Sequence, residues 1–216
     1  PDIQAALEQA ACVFRSLGAE LFEFSVPELS YALPVYYILA SAEASSNLGR
    51  YDGIRYGYHA TGCSTVSEAI CQTRSQGFGK EVKRRISLGS FALSSGYYDA
   101  YYKKAQALRQ SISYRFRKIF DSCDLILAPT TPETAFPSGV SSQSPVVTYQ
   151  SDFCTVPANL AGLPAISLPC GLDHQHLPIG MQLIADQFQE PLLLNAAWNY
   201  EYATEPISPI ETGVIL

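Results

Sequence analysis

Residues 151–171 constrain the fold of this chain more than any other segment. Within these 21 residues lie a carboxylate, the start and end of a helix, and an apolar strand. Thr155 is a candidate N-cap, Pro157 suits the first turn of a short helix, and Gly162 suits its end. Residues 165–168 then form a short apolar run, which is typical of a buried strand. The segment therefore predicts a helix that leads directly into a sheet.

Hydrophobic periodicity predicts helices and strands along most of the chain. The predicted helices cover residues 2–17, 34–47, 66–73, 80–87, 90–120 and 190–203. The stretch at 49–79 is predicted to be irregular apart from the short helix at 66–73. The predicted strands cover residues 20–26, 125–128, 165–168 and 179–185, and the polar turn 173–176 joins the last two as a hairpin. Residues 130–150 form a loop that is long for a compact domain. The pattern predicts one α/β domain over residues 1–216. Because the sequence begins at Pro1 inside a predicted helix, we expect further chain upstream.

Composition excludes several classes of function. A hydrophobic fraction of 47% with 16% charged residues is enough to bury a core. The net charge of −6 argues against nucleic-acid binding by this chain alone. The sequence has no apolar run of about 18 residues, so we expect no membrane partner.

The six cysteines predict a reduced protein in the cytoplasm. They are widely spaced and form no C-x-x-C motif, so neither a zinc site nor another metal site is expected. Cys12, Cys154 and Cys170 lie among apolar residues, which predicts that they are small core residues.

One arginine of the predicted helix 80–87 is directed with apolar side chains. Helical spacing places Arg85 on one face with Val82 and Ile86, whereas the other cations of the segment lie on the opposite face. A partly buried guanidinium needs an anion, because an unpaired buried charge is costly. That anion is either a carboxylate of the protein, in a structural ion pair, or the carboxylate of a ligand.

Asp152 and Tyr36 are the other two candidate binding residues. Asp152 comes just before the predicted helix start, where it either fixes its own loop or faces a ligand ammonium group. Tyr36 lies at the start of helix 34–47, so its ring packs in the core or its hydroxyl lines a cleft. An amino acid carries both an ammonium and a carboxylate. Arg85 and Asp152 together would therefore suit an amino-acid pocket.

Familiar nucleophile and nucleotide motifs are missing from the sequence. There is no G-x-S-x-G motif, and Ser94-Ser95-Gly96 falls inside the predicted helix 90–120. The three histidines lie in polar or glycine-rich segments and do not suggest a Ser-His-Asp triad. There is also no Walker loop and no dinucleotide fingerprint. The residues themselves therefore nominate binding groups and no catalytic group.

Several long segments match, in order, the motifs of one known family. They are residues 34–48, 51–57, 77–86, 92–104, 127–132 and 151–171. These segments resemble the amidase signature enzymes, in particular the A subunits of the tRNA-dependent amidotransferases. The resemblance extends from about residue 20 to residue 203.

The resemblance implies a fold and an assembly. The fold would be α/β, with a mixed β-sheet flanked by α-helices on both faces, of which this chain is a C-terminal, partial domain. The function would be a glutaminase that supplies ammonia for converting Glu-tRNA(Gln) to Gln-tRNA(Gln) in protein biosynthesis. The B subunit of the assembly would bind ATP, Mg²⁺ and most of the tRNA, and the C subunit would tie the assembly together. No cofactor is implied in this chain.

The resemblance also assigns roles to individual residues. It implies that Tyr36, Arg85 and Asp152 bind glutamine. The nucleophile of the family is a serine activated by a second serine and a lysine, and this set has no counterpart in the sequence. We therefore expect the isolated chain to be inactive.

Two other functions stay open at the level of sequence. One is an amidohydrolase for a different amide, although an uncharged substrate would not need Arg85 and Asp152 together. The other is a scaffold that binds partner subunits without taking part in catalysis.

Overall fold

The computed structural model describes residues 1–137 and 151–205, which fall into two compact units. One unit comprises Pro1–Leu33 and the chain from Gln110 onwards, and the other comprises Pro34–Arg109. Helices and a small sheet alternate along the chain, so the predicted α/β class is confirmed. The assignment of residues 1–216 to a single domain stays a prediction.

A three-stranded antiparallel sheet forms the centre of the first unit. Its strands are β1 (Leu125–Pro129), β2 (Ala165–Leu172) and β3 (Pro178–Ala185), in the order β1-β3-β2. The strands predicted at 125–128, 165–168 and 179–185 are thereby confirmed, as is the hairpin between the last two. Because β3 is central, both of its edges are hydrogen-bonded.

Two helices cover one face of this sheet. They are α1 (Asp2–Ser16) and α7 (Glu190–Ala203), which confirm the predicted helices 2–17 and 190–203. The small residues Ala6 and Ala10 let α1 approach the strands closely. The core under the two helices consists mainly of Leu168, Cys170, Ile179, Met181, Leu183, Ala185, Leu193, Ala197 and Tyr200.

The strand predicted at 20–26 is wrong. These residues have no regular secondary structure, and a 3₁₀ helix at Pro27–Tyr31 follows them. Their apolar side chains do not alternate strictly, and Phe22 is 54% exposed. A strand needs a partner edge, and none of the described strands pairs with this segment. Residues 19–24 instead line a hollow of about 960 Å³ beside α1 and β1.

The second unit is helical. Its helices are α2 (Ala32–Asn47), α3 (Val66–Gly77) and α4 (Lys80–Leu93), followed by a π-helix (Tyr98–Lys103) that continues into α5 (Lys104–Phe120). The boundaries between the two units fall within α2 and α5. Helix α2 confirms the prediction at 34–47, and α3 extends the short helix predicted at 66–73 by four residues.

The division between helices 80–87 and 90–120 was predicted at the wrong place. Helix α4 runs through Gly89, and the break falls at Ser94. Gly89 is buried against α2, where an added Cβ would lie 1.9 Å from the carbonyl oxygen of Ser41. The glycine therefore serves close helix packing and does not end a helix. Ser94-Ser95-Gly96, predicted inside a helix, lies in the turn before the π-helix.

The irregular stretch before α3 is held by that helix. Arg74 donates hydrogen bonds from Nη1 to the carbonyl oxygens of Leu48 and Tyr51, at 2.7 and 2.9 Å. The hydroxyl of Thr73 accepts the N–H of Ala60 at 3.0 Å. The long loop predicted at 130–150 is without helix or strand up to residue 137, and residues 138–150 lie outside the described part of the chain.

Carboxylates fix the hairpin turn and join it to α1. Asp173 Oδ1 accepts the N–H groups of Gln175 and Leu177, both at 2.8 Å. The next residue, His174, contacts Asp2 Oδ2 through its backbone N–H at 3.1 Å and through Nδ1 at 2.8 Å. The start of α1 is therefore tied to the turn between β2 and β3.

Gly89→Ala is expected to destabilise the protein by about 2 kcal/mol or more, because the new methyl group would push α2 and α4 apart. Without this contact, alanine would stabilise a helix by about 1 kcal/mol. Urea unfolding measures the difference. Gly49→Ala is the matched control, since an added Cβ there meets nothing within 4 Å. Equal unfolding free energies for the two variants would contradict the close packing of α2 and α4.

The Asp2–His174 pair predicts a pH dependence. The hydrogen bond with Asp2 raises the pKa of His174 above its ordinary value of 6.5, and the same bond lowers the pKa of Asp2. The stabilisation from His174 is present below its ordinary pKa and is lost as pH rises through the raised value. That from Asp2 is lost as pH falls through its lowered pKa. In an NMR titration, Asp2→Asn should lower the pKa of His174, and an unchanged value would show that the pair does not form.

Candidate functional site

Tyr36 and Arg85 lie next to each other in the second unit. Tyr36 belongs to α2 and Arg85 to α4, the two helices that meet at Gly89. Arg85 donates a hydrogen bond to Tyr36, and its Nε lies 3.2 Å from Glu81 Oε1. The Arg85 side chain is 33% exposed. The partial burial predicted from helical spacing is therefore confirmed, and Glu81 supplies an anionic partner.

The guanidinium of Arg85 stays charged in this environment. Burial lowers its pKa, but the hydrogen bonds to Glu81 and Tyr36 outweigh burial, so the pKa of the Arg85 guanidinium is raised above its ordinary value. Glu81 also contacts the neighbouring cation, with its Oε2 3.3 Å from Arg84 Nη1. The site thus combines a fixed positive charge with a nearby tyrosine hydroxyl.

Tyr37 is a part of this site that the sequence reasoning did not single out. Its ring centroid lies 5.8 Å from the Cζ atom of Arg85, and its ring meets that of Tyr36 edge-on with centroids 5.0 Å apart. An aromatic face at this distance attracts a cation and orients a planar guanidinium. The tyrosine pair in the sequence of α2 was the available signal.

Asp152 belongs to the first unit, at the start of a tight backbone turn. Its carbonyl oxygen accepts the N–H groups of Thr155 and Val156, at 3.2 and 3.0 Å. The short helix α6 (Val156–Ala161) follows and ends at Gly162, whose φ of 72° is left-handed as its predicted role requires. Thr155 occupies the predicted N-cap position of α6, but its side chain makes no capping hydrogen bond. Its hydroxyl donates to the carbonyl oxygen of Asp152 at 3.3 Å instead.

A cavity of about 290 Å³ lies beside this turn. Its wall includes Thr130 and Ser167, whose hydroxyl oxygens are 2.9 Å apart, as well as Asn159. Gln182 of β3 also lines it and is 3% exposed. The sequence reasoning missed Gln182, although a lone polar residue in the apolar strand of residues 178–185 was a usable signal.

The structure brings together two of the three predicted site residues. Tyr36 and Arg85 share one hydrogen bond, whereas Asp152 belongs to the other unit. Arg85 is paired with Glu81, so the structural ion pair that the sequence left open is present. The roles of the three residues in ligand binding stay predictions.

The six cysteines are free, and they differ in exposure. Cys170 is buried and Cys154 half-buried, and burial raises the pKa of both thiols. The prediction that Cys12 is a core residue is wrong. It is exposed, because the buried face of α1 is formed by Ala6 and Ala10.

The described ranges contain neither a metal-binding cluster nor a membrane-spanning helix. Within residues 1–137 and 151–205, no three histidine, cysteine, aspartate or glutamate side chains cluster closely enough to hold a metal ion. Among the helices of the same ranges, none combines the length and apolar character needed to cross a membrane.

Comparison with known sequences identifies relatives of this chain. The family model of Amidase matches residues 1–194. The glutamyl-tRNA(Gln) amidotransferase A subunit of Thiobacillus denitrificans is 51% identical over 204 residues, which are 94% of this chain and 42% of that protein. The protein of the same name from Caldanaerobacter subterraneus is 53% identical over 201 residues, covering 93% of this chain and 41% of that protein. The chain therefore spans about two-fifths of the length of these relatives.

Comparison with solved structures gives the same family. The crystal structure of the glutamyl-tRNA(Gln) amidotransferase A subunit from Thermotoga maritima aligns with a TM-score of 0.68 at 34% identity, covering 95% of this chain and 41% of that one. A 6-aminohexanoate cyclic dimer hydrolase aligns with a TM-score of 0.67 at 20% identity, over 97% of this chain and 42% of that one, and supports the fold alone. The predicted amidase-signature-like fold is confirmed.

Proposed function

Because this chain belongs to the amidase family, we propose that it is the glutamine-binding part of a glutamyl-tRNA(Gln) amidotransferase A subunit. In this function the complete A subunit hydrolyses glutamine, and the ammonia released converts Glu-tRNA(Gln) to Gln-tRNA(Gln). The observation that carries the proposal is the 51% identity to such a protein over 94% of the chain. Identity of this extent over nearly the whole chain favours this function over a different amidase.

Arg85 is proposed to bind the α-carboxylate of glutamine. A guanidinium has five N–H donors in a plane, and pairing through Nε to Glu81 does not exhaust them. An i,i+4 pair on a partly exposed helix contributes only about 0.3–0.5 kcal/mol, so a ligand carboxylate can displace Glu81 or bind beside it. The ring of Tyr37 and the hydroxyl of Tyr36 keep the guanidinium in one orientation.

Asp152 is proposed to bind the α-ammonium group, and Tyr36 to offer its hydroxyl to the same ligand. Opposite charges at Arg85 and Asp152 match the two charges of a free amino acid, and they leave the neutral amide as the reacting end. Charged hydrogen bonds of this kind are stronger than neutral ones. Glutamine would therefore be selected by its charged end and cleaved at its uncharged end.

The reacting groups and the partners complete the proposal. We place the attacking serine, with the second serine and the lysine that activate it, in a segment other than residues 1–216. These residues alone should then bind glutamine without hydrolysing it. The B subunit would hold ATP, Mg²⁺ and the tRNA, and the C subunit would join the two larger subunits. A bacterial-type, reducing cytoplasm is the proposed compartment, in keeping with six free cysteines.

In the complete amidotransferase, Arg85→Gln should lower kcat/KM for glutamine by about ten- to a hundredfold, the range for losing a charged hydrogen-bond partner. Amidation of Glu-tRNA(Gln) with free ammonium chloride should be unchanged, since it bypasses glutamine. Arg84→Gln is the matched control, because Arg84 contacts the same Glu81 but is 43% exposed.

Equal losses in the Arg85→Gln and Arg84→Gln variants would contradict the binding role and leave Arg85 as a structural partner of Glu81. A parallel loss of the ammonium-dependent reaction would point to a disturbed assembly. The proposal requires a loss that is confined to Arg85 and to glutamine.

A further inference from the structure

We propose that Gln182 is a positioning residue, which holds the turn carrying Asp152 in place for the ammonium group of the ligand. This inference rests on the proposed function of Asp152. Gln182 lies between Met181 and Leu183 in the central strand β3 and is 3% exposed. A buried amide is costly unless it is hydrogen-bonded, so its partners define what it does.

The two hydrogen bonds of Gln182 join two segments that are far apart in sequence. Its Nε2 donates to the carbonyl oxygen of Pro129 at 2.9 Å and to that of Cys154 at 2.7 Å. Pro129 is the last residue of β1, and Cys154 lies two residues after Asp152. Both N–H groups of the amide are thereby used. One side chain of β3 connects the end of β1 to the turn before α6.

The backbone transmits this restraint from Cys154 to Asp152. The carbonyl oxygen of Asp152 accepts hydrogen bonds from Thr155 and Val156, which closes residues 152–156 into one turn. Cys154 lies inside this turn. A shift of its carbonyl group therefore shifts Asp152, whose distance to a ligand ammonium group decides the strength of the interaction.

The geometry requires an amide of this length. A methionine of similar size would leave the carbonyl groups of Pro129 and Cys154 without their donor. A glutamate at neutral pH would place a carboxylate against the same two oxygens. The amide of an asparagine would fall short by one methylene group.

The test compares glutamine with glutaramate, which is glutamine without its α-ammonium group, as substrates of the complete amidotransferase. The wild-type enzyme should prefer glutamine, and Asp152→Asn should abolish this preference. Gln182→Met should reduce the preference by about tenfold, through a higher KM for glutamine, while kcat/KM for glutaramate changes by less than about threefold. Gln187→Met is the matched control, because Gln187 donates to the carbonyl oxygen of Gly162 at the other end of α6, at 3.4 Å.

A second variant guards against a failure of Gln182→Met to fold. Gln182→Glu keeps the size of the side chain. The preference of this variant for glutamine over glutaramate, measured relative to wild type at the same pH, should recover as pH falls. The recovery is expected because a protonated carboxyl group can donate one hydrogen bond.

The outcomes separate this inference from the function on which it rests. Equal losses for glutamine and glutaramate in the Gln182 variants, or an unchanged preference, would overturn the positioning role. A preference that survives Asp152→Asn would instead overturn the proposed role of Asp152.

Discussion

The burial of β3 on both faces is the constraint on which the first unit depends. Its two edges are bonded to β1 and β2, so its backbone groups are satisfied inside the sheet. Met181 and Leu183 face the core under α1 and α7. Gln182, between them, must point to the opposite face, because side chains alternate along a strand. The alternation therefore sets an amide against the turn that carries Asp152.

The second unit depends on a contact of a different kind. Gly89 allows the backbone of α4 to approach that of α2, and this approach brings Arg85 within hydrogen-bonding distance of Tyr36. Glu81 and the ring of Tyr37 then hold the guanidinium from two further directions. A cation restrained in this way is organised before a ligand arrives, which lowers the entropic cost of binding.

The sequence predicted the features that depend on local pattern and missed those that depend on a partner. The partial burial of Arg85 follows from helical spacing alone, and the i,i+4 rule could also have named Glu81. The prediction of a strand at residues 20–26 was wrong because a sequence pattern does not show whether a neighbouring strand offers an edge for pairing. The role of Gly89 in helix packing and the two carbonyl partners of Gln182 depend on contacts between distant segments, which no local pattern contains.

We propose above that this chain binds glutamine by its charged end. A crystal structure of the complete amidotransferase with bound glutamine tests it most directly. We expect the α-carboxylate within about 3.2 Å of Arg85 and the α-ammonium group within the same distance of Asp152, with the amide directed away from both. Glutamine bound elsewhere, or bound with its side-chain amide against Arg85, would contradict the proposed binding mode.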